Sequence, residues 1–451
     1  MKRSFCIPAV VAAIALLLSA VPVAAKTGLA PAREFVPHEV IVKGEGLAPR
    51  TVSVPKDTTV GEMAGALRKR DGIAYAVPNF IATASAAPVP FTLPNDPGGV
   101  DGPAETSALG DWTLKQWNFL PWVDRPGTGL PTSPGGIDAI GAWENVAAVG
   151  RPGAAGIVVA VLDTGIAYRS QGSRFLRSPD FGPGQFVKGF DFVDNDRVPL
   201  DENGHGTHVA GTIAEKTDNA VGLTGLAYRA KLMPVRVLDA QGRGDASAIA
   251  KGIRFAVTGG AQVINMSFNF GCGKSVPGVD EALREAYAKG VVVVASAGNL
   301  GAETCVSPPA TGPRVIGVGG STEGGCLGNY SLAGKDIDLL APGGGTPGAG
   351  CASISARPIY QVTLKIGSTS LFGVPSNYVG TSMAAAHVSG AAALVLASGL
   401  IKSKAKTKGR ADAVRRRLTG TARSLSLPTI QQGHGLLDAG AATAPALKRR
   451  R

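Results

Sequence analysis

The body of this chain is predicted to be an α/β fold: a doubly wound, mostly parallel sheet with helices on both faces, preceded by a small α+β unit. Three observations predict it. Short, largely apolar runs recur at Ile157 to Leu162, Leu232 to Leu238, Gln262 to Phe268, Val291 to Ala295 and Val315 to Val318, as strands buried on both faces should read. Helical periodicity fills intervals between them, at Ala246 to Val257 and Val279 to Ala288. Asp163 stands at the end of the first run, where an open sheet of alternating strands and helices places its ligands.

Taken in order, the chain opens on Lys2 and Arg3, an apolar run from about Ile7 to Val21, and Val23-Ala24-Ala25. This reads as a signal peptide over residues 1–25, cleaved after Ala25. The run is shorter than the roughly 20 residues that span a bilayer, so it predicts export without a membrane anchor. Residues 26–81 hold a small unit: a strand at Val40-Ile41-Val42-Lys43, helical spacing of Val60, Met63, Ala64 and Leu67, and a second strand at Ile73 to Val77. Residues 82–111 have linker composition, with Pro88, Pro90, Pro94, Pro97 and Pro103 among Ala and Gly. The α/β body occupies 112–440, and 441–451 is a basic tail.

Composition narrows the function. The 62 glycines against 14 phenylalanines point to tight turns and close backbone packing, not to a coiled coil or a disordered polymer. The formal charge is +12, concentrated in part at Lys402, Lys404, Lys406, Lys408, Arg410, Arg415 to Arg417 and Lys448 to Arg451. No aromatic residues interleave with these charges, so they read as a solvated helix face and a loose tail and not as a nucleic-acid surface. Beyond Cys6 in the signal segment, Cys272, Cys305, Cys326 and Cys351 remain. Four cysteines in an exported protein suggest two disulfides with three possible connectivities. The wide spacings and the lack of a CxxC pair disfavour a metal site.

Three segments carry chemistry. Val158 to Leu162 ends in Asp163-Thr164-Gly165; Asn203-Gly204-His205-Gly206-Thr207-His208 opens a glycine-rich helix; Gly380-Thr381-Ser382-Met383-Ala384 enters a second small-residue helix. A serine hydroxyl becomes a nucleophile when a histidine takes its proton, and a buried carboxylate fixes that histidine's tautomer. Any one of these residues alone is ordinarily a cap, a turn or a packed side chain. The order Asp, His, Ser is that of the subtilisins. With all three extended segments in place, the chain resembles a secreted subtilisin-like serine peptidase.

The resemblance implies roles. Ser382 is the nucleophile, His205 the general base and then acid, and Asp163 its orienting partner; the family pattern places catalysis on His205 and not on His208, and His387, in the serine helix, reads as a packed or capping residue. Asn299, ending the run Val293 to Gly298, matches the amide of the family's oxyanion hole. Ser267, Phe268 and Asn269 match the segment that pairs with substrate backbone. Gln116-Trp117 and Ala142-Trp143 match landmarks near the start of the catalytic domain. The unit at 26–81, closing on Val77-Pro78-Asn79-Phe80, resembles the family's inhibitor-type propeptide. Sequence order and the resemblance favour bridges Cys272–Cys305 and Cys326–Cys351. The chemistry needs no cofactor. A structural calcium is expected at the loop after the His205 helix, from Asn219, the carbonyls of Val221 and Leu223, Asp180 and Gln116. One departure is Ala386, where the family usually has proline; alanine preserves the helix. The expected partners are polypeptide substrates and the chain's own propeptide, acting as an intramolecular inhibitor; a secreted monomer is expected. The competing reading is a catalytically silent relative that binds peptides.

Overall fold

A computed structural model describes residues 35–47, 49–80, 93–99, 112–301, 304–401 and 408–445. The signal-peptide segment, most of the 82–111 stretch, Lys402, Lys404 and Lys406, and the tail from 446 lie outside the described residues. The chain divides into two compact units, Met1–Ala87 and Pro88–Arg451.

In the first unit, β1 (Phe35–Gly44) is the middle strand of an antiparallel sheet, flanked by β2 (Arg50–Ser53) and β3 (Ile73–Phe80). Helix α1 (Val60–Arg68) opens on Thr59, whose hydroxyl accepts from the Glu62 amide while the Glu62 side chain reaches back to the Thr59 amide. That reciprocal cap satisfies two otherwise unpaired donors. Val60, Ala64 and Leu67 lie on the face that meets Val40, Val42, Val54 and Ala76. Strand β2 has no apolar alternation and was not legible in the sequence; pairing with β1 makes it a strand.

In the second unit, α2 (Trp112–Lys115) and α3 (Ala139–Ala148) lead into β4 (Val158–Asp163), β5 (Phe190–Asp191), α4 (His205–Ala214), β6 (Lys231–Arg236), α5 (Ala246–Thr258), β7 (Val263–Met266), α6 (Pro277–Ala288), β8 (Val292–Ser296), β9 (Ile316–Ser321) and β10 (Leu339–Pro342). These strands form one seven-stranded parallel sheet ordered β10-β9-β8-β7-β4-β6-β5. Strand residues alternate between faces. Val159 and Val161 of β4 join the core containing α3, α4 and α7 (Thr381–Ala397); Ala160 and Leu162 join the core containing α5 and α6. The predicted doubly wound α/β sheet is therefore the one observed. Every residue of α7 except Leu396 is buried, and its small side chains let a helix run through the centre of the unit.

Two expectations change. Residues 93–99, read as linker, are packed within the second unit: Trp112 Nε1 donates to the Pro94 carbonyl (3.0 Å), and Gly98 N donates to the Gly222 carbonyl (2.8 Å). Three arginines of α8 (Lys408–Gly420) do not simply face solvent, although Arg416 is exposed. Arg415 pairs with Asp338, Arg417 Nε donates to the Ala442 carbonyl (2.8 Å), and Arg410 Nε donates to the Gly290 carbonyl (2.8 Å). These cations tie α8 to the residues just before β8 and β10 and to the turn around Ala442.

Candidate active site

The carboxyl ends of β4, β7 and β8 and the first turns of α4 and α7 bring the sequence-predicted residues into one unit. Register explains it: Leu162 pairs with Met266, and Met266 with Ala295. Asp163 and Ser267 therefore leave adjacent strands at the same level, and Asn299 follows shortly after β8.

Asp163 is fully buried. Its Oδ1 accepts from the Thr164 amide (2.8 Å) and from His205 Nδ1 (2.7 Å). The proton is therefore on Nδ1, and Nε2 is left as the basic nitrogen. Gly206 makes this approach possible, because a Cβ there would stand 2.1 Å from the Gly165 carbonyl oxygen. Burial lowers the His205 pKa, while the charge and hydrogen bond of Asp163 and the charge of Asp201 raise it; the net shift is upward.

Asp201 is a residue that the sequence did not reveal. It is buried, and it accepts from the amides of Asn203, Gly204 and Thr207 and the hydroxyls of Thr164 and Thr207, at 2.6–2.9 Å. Gly204, at the helix start, has no side chain with which to cap α4; Asp201 supplies that oxygen from outside the motif. No spacing rule marks it.

The other two helical histidines are structural. His208 Nε2 donates to the Ile359 carbonyl (3.0 Å), the ring stacks on Tyr378 at 4.0 Å, and burial drives its pKa down to about 3. His387 Nδ1 donates to the Met383 carbonyl (2.8 Å), its Nε2 accepts from Asn118 (2.8 Å), and burial holds it near 4. Only His205 of the three has a carboxylate partner, and its side chain is 25% exposed where the others are closed off.

Ser382 is the second residue of α7, and its amide is among the first-turn donors that a helix leaves unused. Its hydroxyl donates to the Ser267 carbonyl (2.9 Å) and not to His205. Catalytic hydrogen bonds are often loose in an empty site and tighten with substrate. Asn299 Oδ1 accepts from the amide (2.9 Å) and hydroxyl (2.8 Å) of Thr381. Those two donors fix the amide, so Nδ2 is the end left to donate, 3.0 Å from where a Gly380 Cβ would stand.

Ser267, Phe268 and Asn269 follow β7 directly. Ser267 is buried, Phe268 is half-buried and packs edge-on to Phe270 at 6.4 Å, and Asn269 is exposed. Cys272 and Cys305 are bridged, tying this segment to the chain beyond Asn299; Cys326 and Cys351 form the second bridge.

At the loop expected to hold calcium, one of the expected side chains is engaged elsewhere and another carboxylate stands close by. Gln116 is not available: its Nε2 donates to the Thr224 carbonyl (2.8 Å) and its Oε1 accepts from the Thr224 amide (2.9 Å). Asp96 stands at the loop instead, accepting from the amides of Asp218 (3.0 Å) and Asn219 (3.1 Å). Asp180 accepts from Asn219 Nδ2 (2.9 Å) and the Leu223 amide (2.8 Å), and Gly222 allows that approach, since a Cβ there would stand 2.0 Å from Asp180 Oδ2. Burial pushes Asp96 up to about 6 and Asp180 up to about 8. Glu215 beside them is raised by burial and by Asp180. Asn219 Oδ1 is buried with no hydrogen-bond partner among the described residues. Crowded, desolvated carboxylates and an orphaned oxygen are what a hard cation neutralises, so the residues fit calcium. Among the described residues no cluster of three His, Cys, Asp or Glu side chains has metal-binding geometry; an oxygen site drawing on main-chain carbonyls and an asparagine is of another kind.

The profile of the Subtilase family matches residues 154–440. The chain belongs to the subtilase family. This subtilase is 36% identical over 318 residues to subtilisin DY of Bacillus licheniformis, covering 69% of this chain and 98% of that protein. It is 37% identical over 244 residues to thermitase of Thermoactinomyces vulgaris, covering 54% and 76%. A thermophilic serine proteinase of Bacillus sp. strain AK1 is 39% identical over 247 residues, covering 55% of the chain; the match spans only 54% of that relative's length. Among solved structures, a protease of Pseudoalteromonas arctica aligns with a TM-score of 0.59 and 30% identity, over 78% of this chain and 99% of that one. The subtilase is thus a serine peptidase of the subtilisin kind. No helix among its described residues is long and apolar enough to cross a membrane.

Proposed function

We propose that this subtilase is an exported serine endopeptidase, made as a precursor, in which Asp163, His205, Ser382 and Asn299 carry the chemistry. The observation that supports it best is the 2.7 Å bond between a fully buried Asp163 and His205 Nδ1. It leaves Nε2 of the one accessible helical histidine as a base.

His205 Nε2 takes the Ser382 proton as Oγ attacks the scissile carbonyl carbon. Asp163 holds the ring and stabilises the imidazolium. Negative charge moves onto the carbonyl oxygen, where Asn299 Nδ2 and the Ser382 amide donate to it at the positive end of α7. His205 then returns the proton to the leaving amine, and water repeats the sequence to release the acyl group. Ser267, Phe268 and Asn269 pair with the substrate main chain, as an added strand would. Calcium would be held by Asp96, Asp180, Asn219 and the carbonyls of Val221 and Leu223, where it supplies charge neutralisation to the loop and takes no part in the chemistry. Residues 26–81 act as an intramolecular inhibitor until they are removed.

Ser382→Ala is expected to abolish hydrolysis of casein and to accumulate as the unprocessed precursor. Substantial caseinolysis by the purified variant would remove Ser382 from the role of nucleophile.

A further inference from the structure

A buried chain of hydrogen bonds runs from the middle of α7 back to its first turn through the neighbouring strand. Ser389 Oγ donates to Asn265 Oδ1 (2.9 Å). Asn265 Nδ2 donates to Ser267 Oγ (2.9 Å). Ser267 Oγ donates in turn to the main-chain carbonyl of Ser382 (2.8 Å), and Ser382 Oγ returns a bond to the main-chain carbonyl of Ser267 (2.9 Å). Asn265 and Ser389 are fully buried, and Ser267 is 3% exposed, so water does not compete for these groups.

The chain has a direction, and Ser389 sets it. An amide has one donating and one accepting end in nearly the same shape, and a hydroxyl turns to suit its neighbours. While Ser389 donates to Oδ1, Asn265 must present Nδ2 to Ser267. The Ser267 oxygen is then an acceptor, and its own proton is left for the Ser382 carbonyl. Without the Ser389 hydroxyl the Asn265 amide is free to turn. Its oxygen then captures the Ser267 proton, and the Ser382 carbonyl loses its partner. Ser389 follows Ser382 by two turns on the same helix, so strand β7 cross-braces the turn that carries the nucleophile.

We propose that Ser389 and Asn265 are positioning residues: through Ser267 they hold the nucleophile turn and the segment Ser267, Phe268 and Asn269 at one fixed spacing. The inference rests on the reading of Ser382 as nucleophile. Positioning acts on the reacting geometry, so its loss slows acylation more than it weakens binding.

The test uses the mature enzyme, with kcat and KM on a short peptide substrate and the rate of inactivation by a fluorophosphonate. Ser389→Ala is expected to lower kcat by about 3- to 10-fold, the size of one neutral hydrogen bond, with KM held within about twofold. The inactivation rate falls by the same factor. Ser267→Ala falls at least as far, and the double variant Ser267→Ala/Ser389→Ala is no slower than Ser267→Ala alone, because both changes break one chain. Multiplying effects, or a lower Tm with unchanged kcat, would overturn the proposal and leave a packing role. If Ser389→Ala does not fold, Asn265→Asp keeps the shape and removes the Nδ2 donor; an unchanged acylation rate in that variant overturns the proposal equally. A wild-type enzyme that resists the probe would instead overturn the nucleophile reading itself, and the positioning chain with it.

Discussion

At the scale of single residues, the site separates groups that react from groups that hold them. Asn299 is held at its oxygen: both donors of Thr381 reach Oδ1, and in the proposed mechanism Nδ2 donates to the oxyanion. An oxyanion exists only along the reaction path, so Asn299→Ala is expected to lower kcat with little change in KM. The expected size is about 10²–10³-fold, a magnitude carried over by analogy from the oxyanion-hole asparagine of a subtilisin. Steady-state kinetics on a peptide substrate check it, and a defect lying mainly in KM would remove Asn299 from that position. Asp163, His205 and Ser382 were legible in the sequence because each sits in a glycine-rich segment whose spacing reflects close backbone approach, as at Gly206. Asp201 was not legible. Its work is to gather amides and hydroxyls of Thr164, Asn203, Gly204 and Thr207, and nothing in its sequence neighbourhood distinguishes that from an ordinary loop acid. Ser389 and Asn265 were hidden for the same reason: their partners lie on other elements.

At the scale of elements, the clearest lesson is the loop after α4. The family resemblance offered Asn219, Val221 and Leu223 of that loop and, from further off in sequence, Asp180. It assigned Gln116 to the same loop, and the fold gives that side chain to Thr224 instead. Asp96 takes the place because residues 93–99 run against the loop, a contact between segments more than a hundred residues apart. Proline-rich composition concealed it. Removing calcium with a chelator is expected to lower Tm. A ligand that binds only the folded state stabilises it by mass action, about 2.7 kcal/mol at a hundredfold excess over Kd. Asp180→Asn should abolish the response and Asp96→Asn should weaken it. A Tm that ignores the chelator in the wild-type protein would eliminate the site. The short β2, by contrast, has no periodic signal of its own and exists through its partner strand.

At the scale of the whole molecule, the α/β body was legible because strands buried on both faces read as apolar runs, and its sheet is parallel, as expected of a mostly parallel sheet. Arg410 and Arg417 were misread as a solvated face: charge alone does not reveal that they bond main-chain carbonyls. The placement of 93–99 also bears on maturation. That stretch belongs to the second compact unit and supplies Asp96 to its loop, so cleavage after it would remove a carboxylate of the proposed calcium site. Autocatalytic cleavage is therefore expected between Ala82 and Leu93, in a segment of small residues of the kind that proteases nick. Separately made residues 26–81 should inhibit the mature enzyme at about micromolar concentration or below. N-terminal sequencing of the secreted form decides it: a fully active enzyme beginning at Lys26 would make the first unit an accessory domain. The central claim is that Ser382 is activated by His205 and Asp163 for attack on a carbonyl. Labelling with a fluorophosphonate, followed by peptide mapping, tests it most directly. One equivalent of label on Ser382, lost in His205→Ala, is the predicted result; a folded protein that takes no label, or takes it on another serine, would contradict the account.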